Sequence, residues 1–503
     1  MSIFERVLRT PRPASAAPVV LCLLLAGAAR ADEDRWYQIR MMDQPAGWMH
    51  SIEKTADDKV TISTDMTIKV KRGPIDLTIT TQSTTIETTD GKAVSMKNVQ
   101  KLGTLPITQE FLFAEDGITI VTEQNGKKTT SKQPLPAASW LPPAAANRYA
   151  KEERKKGAAK IEVTTMDPSA GPMLITLSRR KFEKTTIELG GKKVEVEKNE
   201  LEASYMPGVV QTEYADENGD LVRADMNFGG IEMTMVSSTR EEALREDAAV
   251  APELMVRTFV VPDKPIEGAR AKKFGSYILS IPGGDLPELP TTSAQKFERL
   301  DAGTARLTVD MAHPTEAPEA DAANAQFLAS SSMIDTQDDK IKELAAKATE
   351  RAGDKATAAE KAEAIRRFVY TYIKKKALGV GFASASEVAQ TCEGDCTEHG
   401  VLLTALLRAS GIPARVVTGL IYADQFAGSE RIFGYHCWAQ ALVEKDGKKI
   451  WLDVDATLPP TVPFDATHLA AAVTSLADGE MSKSMAGVAP LFGQLKIKVE
   501  KVK

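Results

Sequence analysis

The run Val401-Leu-Leu-Thr-Ala-Leu-Leu407 limits what this chain can fold into more than any other stretch. Asp395 and Glu398 precede it at capping-box spacing and Gly411-Ile412-Pro413 ends it, which predicts a helix beginning at Asp395. A surface helix carries an apolar stripe and a polar back, whereas this one is apolar almost all round and must be enclosed by other elements. Three strand patterns follow it, at residues 415–422, 435–444 and 449–455. The last two meet at Asp446-Gly447, a pair that tolerates the positive φ of a tight hairpin. The expected arrangement is α+β, a central helix packed on an antiparallel sheet.

The hairpin sets a register. If it closes on two or four loop residues, Trp438 faces Asp455 and His436 faces Thr457. His436 and Asp455 then share a sheet face as diagonal neighbours, at roughly 7–8 Å between backbones and within reach of an imidazole. Asp453 shares the face but lies opposite Gln440, two pairs from His436, and is the weaker partner. Cys396 stands in the first turn of the buried helix, where unpaired N–H groups and the helix dipole favour a thiolate, the nucleophilic form. Cysteine, histidine and aspartate in this arrangement are the groups that thiol-based acyl transfer needs.

The rest of the chain reads as strand and linker. Residues 60–70, 75–81 and 118–123 alternate apolar with polar, and Asp90-Gly91, Asn125-Gly126 and Asn218-Gly219 are hairpin dipeptides, so residues 32–250 are expected to form a large β-rich domain. The basic stretch from Tyr149 to Lys156 reads as a solvated helix face. Shorter strands suggest a small β module over 251–312, and the polar, proline-bearing segment 313–328 reads as a linker. Thr357 and Glu360 form a second capping box, with Ile365, Phe368, Val369, Tyr372 and Ile373 along one face as core. Residues 329–470 complete the catalytic region, and 471–503 form a tail with a terminal strand.

Arg6, Arg9 and Arg12 lead into a short apolar run that ends at Ala29-Arg30-Ala31, the pattern of a secretory signal cut after Ala31. A periplasmic or secreted protein with no membrane span after cleavage is expected. Removing residues 1–31 takes away four arginines and one glutamate, so the formal charge falls from −6 to −9. An acidic chain of this kind carries no electrostatic footprint for nucleic acid. Three cysteines remain, Cys392, Cys396 and Cys437, an odd number that leaves at least one thiol unpaired within the chain. Cys392, Cys396 and His399 lack a second ligand pair at zinc-site spacing, and no Gly-rich phosphate loop or dinucleotide fingerprint occurs, so neither metal nor cofactor is expected.

Gly394-Asp-Cys-Thr-Glu-His-Gly400, with the helix and strand that follow through Gly419, resembles the core of the transglutaminase-like superfamily of papain-related cysteine enzymes. His436-Cys-Trp438 and the pattern from Trp451 through Asp455 to Thr457 match that family's later elements in order, and the likeness spans about 330–460. It implies Cys396 as nucleophile, His436 as general base and then acid, and Asp455 as the residue that orients the imidazole. The implied substrate is a protein or peptide amide, such as a glutamine side chain, with an amine or water as acceptor. Animal members use an upstream tryptophan as an oxyanion donor, but no tryptophan lies between Trp140 and Cys396. The Cys396 N–H is one candidate donor, with Gln390 a second. The alternative reading is a non-catalytic binding or envelope-assembly protein that uses the domain as an adaptor.

Overall fold

The computed structural model describes residues 33–503 apart from 73–74, 102–105, 125, 170, 207–208, 229–230, 246–250, 254, 377–382, 478–479 and 481–487. The signal read at 1–31 lies outside the described residues. The architecture is α+β, with a large β region preceding the helix-bearing part. Apart from residues 71–75, which group with the later part, the described residues from 33 to 252 form one compact unit and those of 253–503 the other.

The first unit is a long meander. Its strands are β1 (Glu33–Met41), β2 (Gln44–Ala56), β3 (Lys59–Arg72), β4 (Ile75–Thr88), β5 (Ala93–Lys101), β6 (Ile107–Ala114), β7 (Gly117–Gln124) and β8 (Lys127–Gln133). After helix α1 (Pro143–Lys155) come β9 (Lys160–Met166), β10 (Leu174–Leu189), β11 (Lys192–Ala203), β12 (Val210–Ala215), β13 (Leu221–Phe228) and β14 (Ile231–Ser238). β1 pairs antiparallel with β14, joining the two runs into one sheet whose outermost strands are β8 and β9. The alternation read from the sequence places Met96, Phe111, Ile118 and Ile120 in one apolar cluster with Met166.

Helix α1 departs from the sequence expectation. Its N-cap is Pro142, which has no side-chain acceptor, so the buried Glu87 carboxylate of β4 accepts from the Ala144 N–H at 2.9 Å and pairs with Arg148 at 3.2 Å. Two cations of the supposed solvated face turn inward. Lys151 is buried against Asp220, and Arg154 forms a two-point pair with Glu197 at 2.5 and 2.6 Å. The strands carry carboxylates where the helix carries cations, a match that periodicity in the helix alone cannot reveal.

A short helix α2 (Arg240–Ala243) closes the first unit. The second holds two four-stranded sheets and the remaining helices α3 (Glu319–Ala323), α4 (Asp339–Glu350), α5 (Ala358–Tyr372), α6 (Ala385–Thr391) and α7 (Cys396–Ala409). One sheet joins β15 (Phe274–Ser280), β16 (Gln295–Asp301) and β17 (Thr304–Asp310) to the terminal β22 (Lys496–Val502), in the order β16-β17-β15-β22. The other contains β18 (Ala414–Phe426), β19 (Ser429–Lys445), β20 (Lys448–Val454) and β21 (His468–Thr474), in the order β20-β19-β18-β21. From residue 253 on, the stretches read as 251–312, 313–328, 329–470 and 471–503 fall within this unit. Segment 313–328, read as a linker, contains α3 and packs Ala317 and Phe327 against Leu442 and Trp451. No helix among the described residues is long and apolar enough to cross a membrane.

Helix α7 is buried along its length from Cys396 to Arg408 and lies against β18 and β19. At its far end Arg408 donates to the Ala414, Ala329 and Ser475 carbonyls at 2.6–3.0 Å, pinning the helix to three separate segments. Beneath it, β18 and β21 approach so closely at Gly419 that an added Cβ would lie 2.1 Å from the Leu469 carbonyl oxygen and 2.7 Å from the Trp438 ring. Neither neighbour has room to yield. G419A is therefore expected to cost on the order of 3 kcal/mol through overpacking. Its thermal transition in near-ultraviolet circular dichroism should fall by several degrees, and an unchanged transition would contradict this packing.

Candidate functional site

Cys396 reaches the site through the capping of α7. Asp395 accepts from the Thr397 N–H at 2.9 Å, and Glu398 accepts from the Asp395 N–H at 2.9 Å, completing the box read from the sequence. Glu398 also accepts from the Ala383 N–H at 3.0 Å, tying the segment that leads into α6 to the start of α7. Gly394 has φ +157°, and a Cβ there would fall 2.2 Å from that of Glu398. Glycine is what lets the carboxylate fold back. Burial, and then the neighbouring Asp395, push the Glu398 carboxyl well above its ordinary range.

His436 is delivered by β19. Asp446 and Gly447 both take positive φ, and the hairpin pairs Lys445 with Lys448 and Gln440 with Asp453, the register expected for a two-residue loop. Pairing ends at Ala439 and Val454, so Asp455 stands one residue beyond β20, not within it. The turn that follows brings the Asp455 Oδ2 to 2.8 Å from His436 Nε2. The Cys396 thiol is hydrogen-bonded to the same imidazole. Cys396, His436 and Asp455, named from the sequence, thus form one continuous hydrogen-bonded line, and all three are buried.

Burial opposes a charge on His436, but the Asp455 carboxylate and its hydrogen bond, followed by the Cys396 sulfur, raise it from 6.5 to about 10. Burial likewise opposes ionisation of Asp455, yet His436 and then His468 hold its carboxyl well below the usual range. The carboxylate is fixed by further donors. Asp455 Oδ1 accepts from the Thr457 N–H and Oγ1, each at 2.7 Å. From α5, the buried Arg366 donates to the Asp455, Leu458 and Pro460 carbonyls at 3.3, 2.9 and 3.3 Å, clamping the turn itself.

The other candidates lie elsewhere. Asp453 accepts from the Trp438 indole at 2.8 Å and from Gln440 at 2.7 Å, so it anchors the sheet beside His436. The His399 Nδ1 donates to the Asp395 carbonyl, and burial, then Lys376, lowers its ring to about 4. Gln390 is exposed on α6. Cys437 faces α7, where its sulfur would lie 3.0 Å from a Cβ on Gly400, so it packs one turn from Cys396. Burial and then Cys396 push its thiol well upward. Cys392, Cys396 and Cys437 are all free thiols.

Sequence reasoning missed His468, Asp465, Thr457 as a carboxylate donor, and Arg366. A visible signal existed: Asp-Ala-Thr occurs at 455–457 and again at 465–467. Both copies form the same turn, for Asp465 Oδ1 accepts from the Thr467 N–H at 2.8 Å and from its hydroxyl. His468 follows the second copy and places Nε2 3.3 Å from Asp455 Oδ2. One ligand atom each from His436, Asp455 and His468 lies within 4.8 Å of the others, a spacing that could also hold a metal ion. All three atoms are already engaged in the hydrogen bonds just described.

Several solved structures match at low similarity. A β-barrel-like protein of domain of unknown function DUF1849 from Brucella abortus is 13% identical, covering 42% of this chain and 96% of its own, with a TM-score of 0.33. A candidate cysteine protease from Cytophaga hutchinsonii is 18% identical, covering 46% of this chain and 89% of its own, with a TM-score of 0.27. A candidate protease from Parabacteroides distasonis is 13% identical, covering 71% of this chain and 63% of its own, with a TM-score of 0.17. At these scores the likenesses carry no argument about chemistry. No curated protein matches the chain. The family that matches is the transglutaminase-like superfamily, and its match begins within α4 and ends just past Asp455. Residues 342–456 are a transglutaminase-like superfamily domain.

Proposed function

We propose that this protein is an exported cysteine-dependent acyltransferase or amidase acting on protein or peptide amides, with Cys396 as nucleophile, His436 as base and acid, and Asp455 as orienting residue. The observation that carries the reading is the line of hydrogen bonds from the Cys396 thiol through His436 to a buried, ionised Asp455. A carboxylate on one ring nitrogen favours the imidazolium, and the imidazolium favours a thiolate at the other.

In the first half-reaction the Cys396 sulfur attacks the amide carbonyl carbon, and the oxyanion is met by the Cys396 backbone N–H. His436 gives its proton to the departing amine as the C–N bond breaks, leaving a thioester. In the second, an acceptor amine or water loses a proton to His436 and attacks that thioester, and the sulfur leaves as thiolate. Glutamine transamidation, deamidation and peptide hydrolysis differ only in which amide enters and which acceptor follows.

One incubation separates these outcomes. With a glutamine-donor peptide, a labelled amine and an unmodified protein substrate, the wild type is expected to incorporate amine, release ammonia or cleave peptide, and C396A is expected to lose at least a thousandfold of that activity. Activity persisting in C396A would overturn the assignment.

The thiolate pair makes a separate prediction about pH. Asp455 raises the His436 ring to about 10, so the imidazolium stands beside Cys396 at neutral pH, and Cys396 should be alkylated by iodoacetamide. D455N removes the largest favourable influence on the imidazolium. His436 then loses its proton at lower pH, the imidazolium beside the sulfur is lost, and alkylation at pH 6 should slow by at least about tenfold. Mass spectrometry of the Cys396 peptide gives the rate, and equal rates for the two proteins at pH 6 would contradict the scheme. Export predicts a mature N-terminus at Asp32, readable by intact mass after expression with residues 1–31 present.

A further inference from the structure

The Asp455 carboxylate has a second imidazole on it. His468 Nε2 lies 3.3 Å from Oδ2, the same oxygen that takes His436 Nε2 at 2.8 Å. The other His468 nitrogen, Nδ1, lies 3.1 Å from the Asp465 carbonyl and 3.6 Å from its Oδ1. Every group facing the two nitrogens is an acceptor. A neutral imidazole has one donor and one acceptor nitrogen, so it would aim a lone pair at a carboxylate or a carbonyl. Only the doubly protonated ring satisfies both sides.

The surroundings suit a cation. Asp465 is buried, takes Arg270 on its Oδ2, and is itself held by Thr467. The Phe464 ring stacks on His468 at 3.9 Å, and Trp438 meets it edge-on at 5.4 Å. The charged and titratable groups around the ring are Asp455 from the first Asp-Ala-Thr turn, Asp465 from the second, His436 from β19, Asp453 from β20, and Arg270, Lys273 and Tyr277 from the segment ending in β15. Burial opposes a charge on His468, but Asp465 and Asp455 outweigh it and raise the ring above its ordinary range.

We propose that His468, held as an imidazolium by Asp465, is a positioning residue for the candidate site: it fixes the Asp455 carboxylate toward His436 and supplies the second positive charge in the buried line. This rests on the acyl-transfer reading above. His468 touches neither the sulfur nor a substrate and acts through Asp455. With Thr457 holding Oδ1 and His468 holding Oδ2, the carboxylate is oriented before His436 binds it. The positive charge also tunes that pair, since a cation near the site makes every proton there easier to lose.

The test is the pH profile of Cys396 alkylation by iodoacetate, an anion that senses both the thiolate and the His436 imidazolium and so gives an acid and an alkaline limb. H468Q keeps an N–H for Asp455 but carries no charge, and both limbs are expected to move upward by about one pH unit. H468L removes the donor as well, and its rate at the optimum is expected to fall about tenfold or more below that of H468Q. Limbs that stay in place in H468Q, or H468L reacting at the H468Q rate, overturn the proposal. If neither variant folds, the wild type decides. Nitrogen-15 histidine spectra followed through a pH titration are expected to show His468, like His436, becoming neutral only above the midpoint of a free histidine, and a His468 midpoint at or below that of the free amino acid overturns it. An unreactive wild-type Cys396 would instead defeat the acyl-transfer reading, and the same spectra would still report whether His468 is charged.

Discussion

Everything near Cys396 depends on keeping Asp455 ionised in a place with almost no water. An isolated buried carboxylate would take up a proton or stay out of the interior, because desolvation costs far more than one hydrogen bond returns. Here the charge is met by Thr457 through two donors, by His436 and by His468. Arg366 holds the backbone of the same turn. The sheet brings His436 into place, but β20 stops before Asp455, so the orientation of the carboxylate is the work of the turn and its donors.

How legible this was depends on how local the determinants are. The hairpin at Asp446-Gly447 was readable because two residues with positive φ set the loop, and the loop sets the register for every pair up to Ala439 and Val454. The α7 start was readable because capping boxes are four-residue patterns. Arg366 was hidden because it sits on a helix whose apolar spacing accounted for its neighbours, and an arginine at such a position reads as solvent-facing until its carbonyl partners, some ninety residues later, are known. His468 was hidden because no strand pattern was read between Asp455 and residue 470, whereas the proline-bearing stretch 459–463 turns the chain back into β21 beside β18. The terminal strand was anticipated, but its pairing with β15, more than two hundred positions earlier, was not something a local pattern could specify.

That return of the chain matters for the site. Arg270 and the Tyr277 hydroxyl both reach the second Asp-Ala-Thr turn, Arg270 through Asp465 and Thr467, Tyr277 through the Ala466 carbonyl at 2.9 Å. β22 then covers the other edge of β15. The small sheet is therefore the outer wall of the turn that holds His468, which explains why residues 253–503 behave as one compact unit although the family match stops at 456. The match covers Cys396, His436 and Asp455, and the segment after it holds His468, which packs on Asp455.

In the acyl-transfer reading, the buried line alternates in sign: thiolate at Cys396, imidazolium at His436, carboxylate at Asp455, imidazolium at His468, carboxylate at Asp465 and guanidinium at Arg270. Each charge has an opposite neighbour, so the set is neutral as a whole and none is buried unpaired. Adding the Asp465 and His468 pair behind Asp455 keeps the total unchanged while giving the carboxylate a second donor. The duplicated Asp-Ala-Thr turn supplies a structural route to that pair, because the same local hydrogen bonds from threonine prepare each aspartate to accept a histidine.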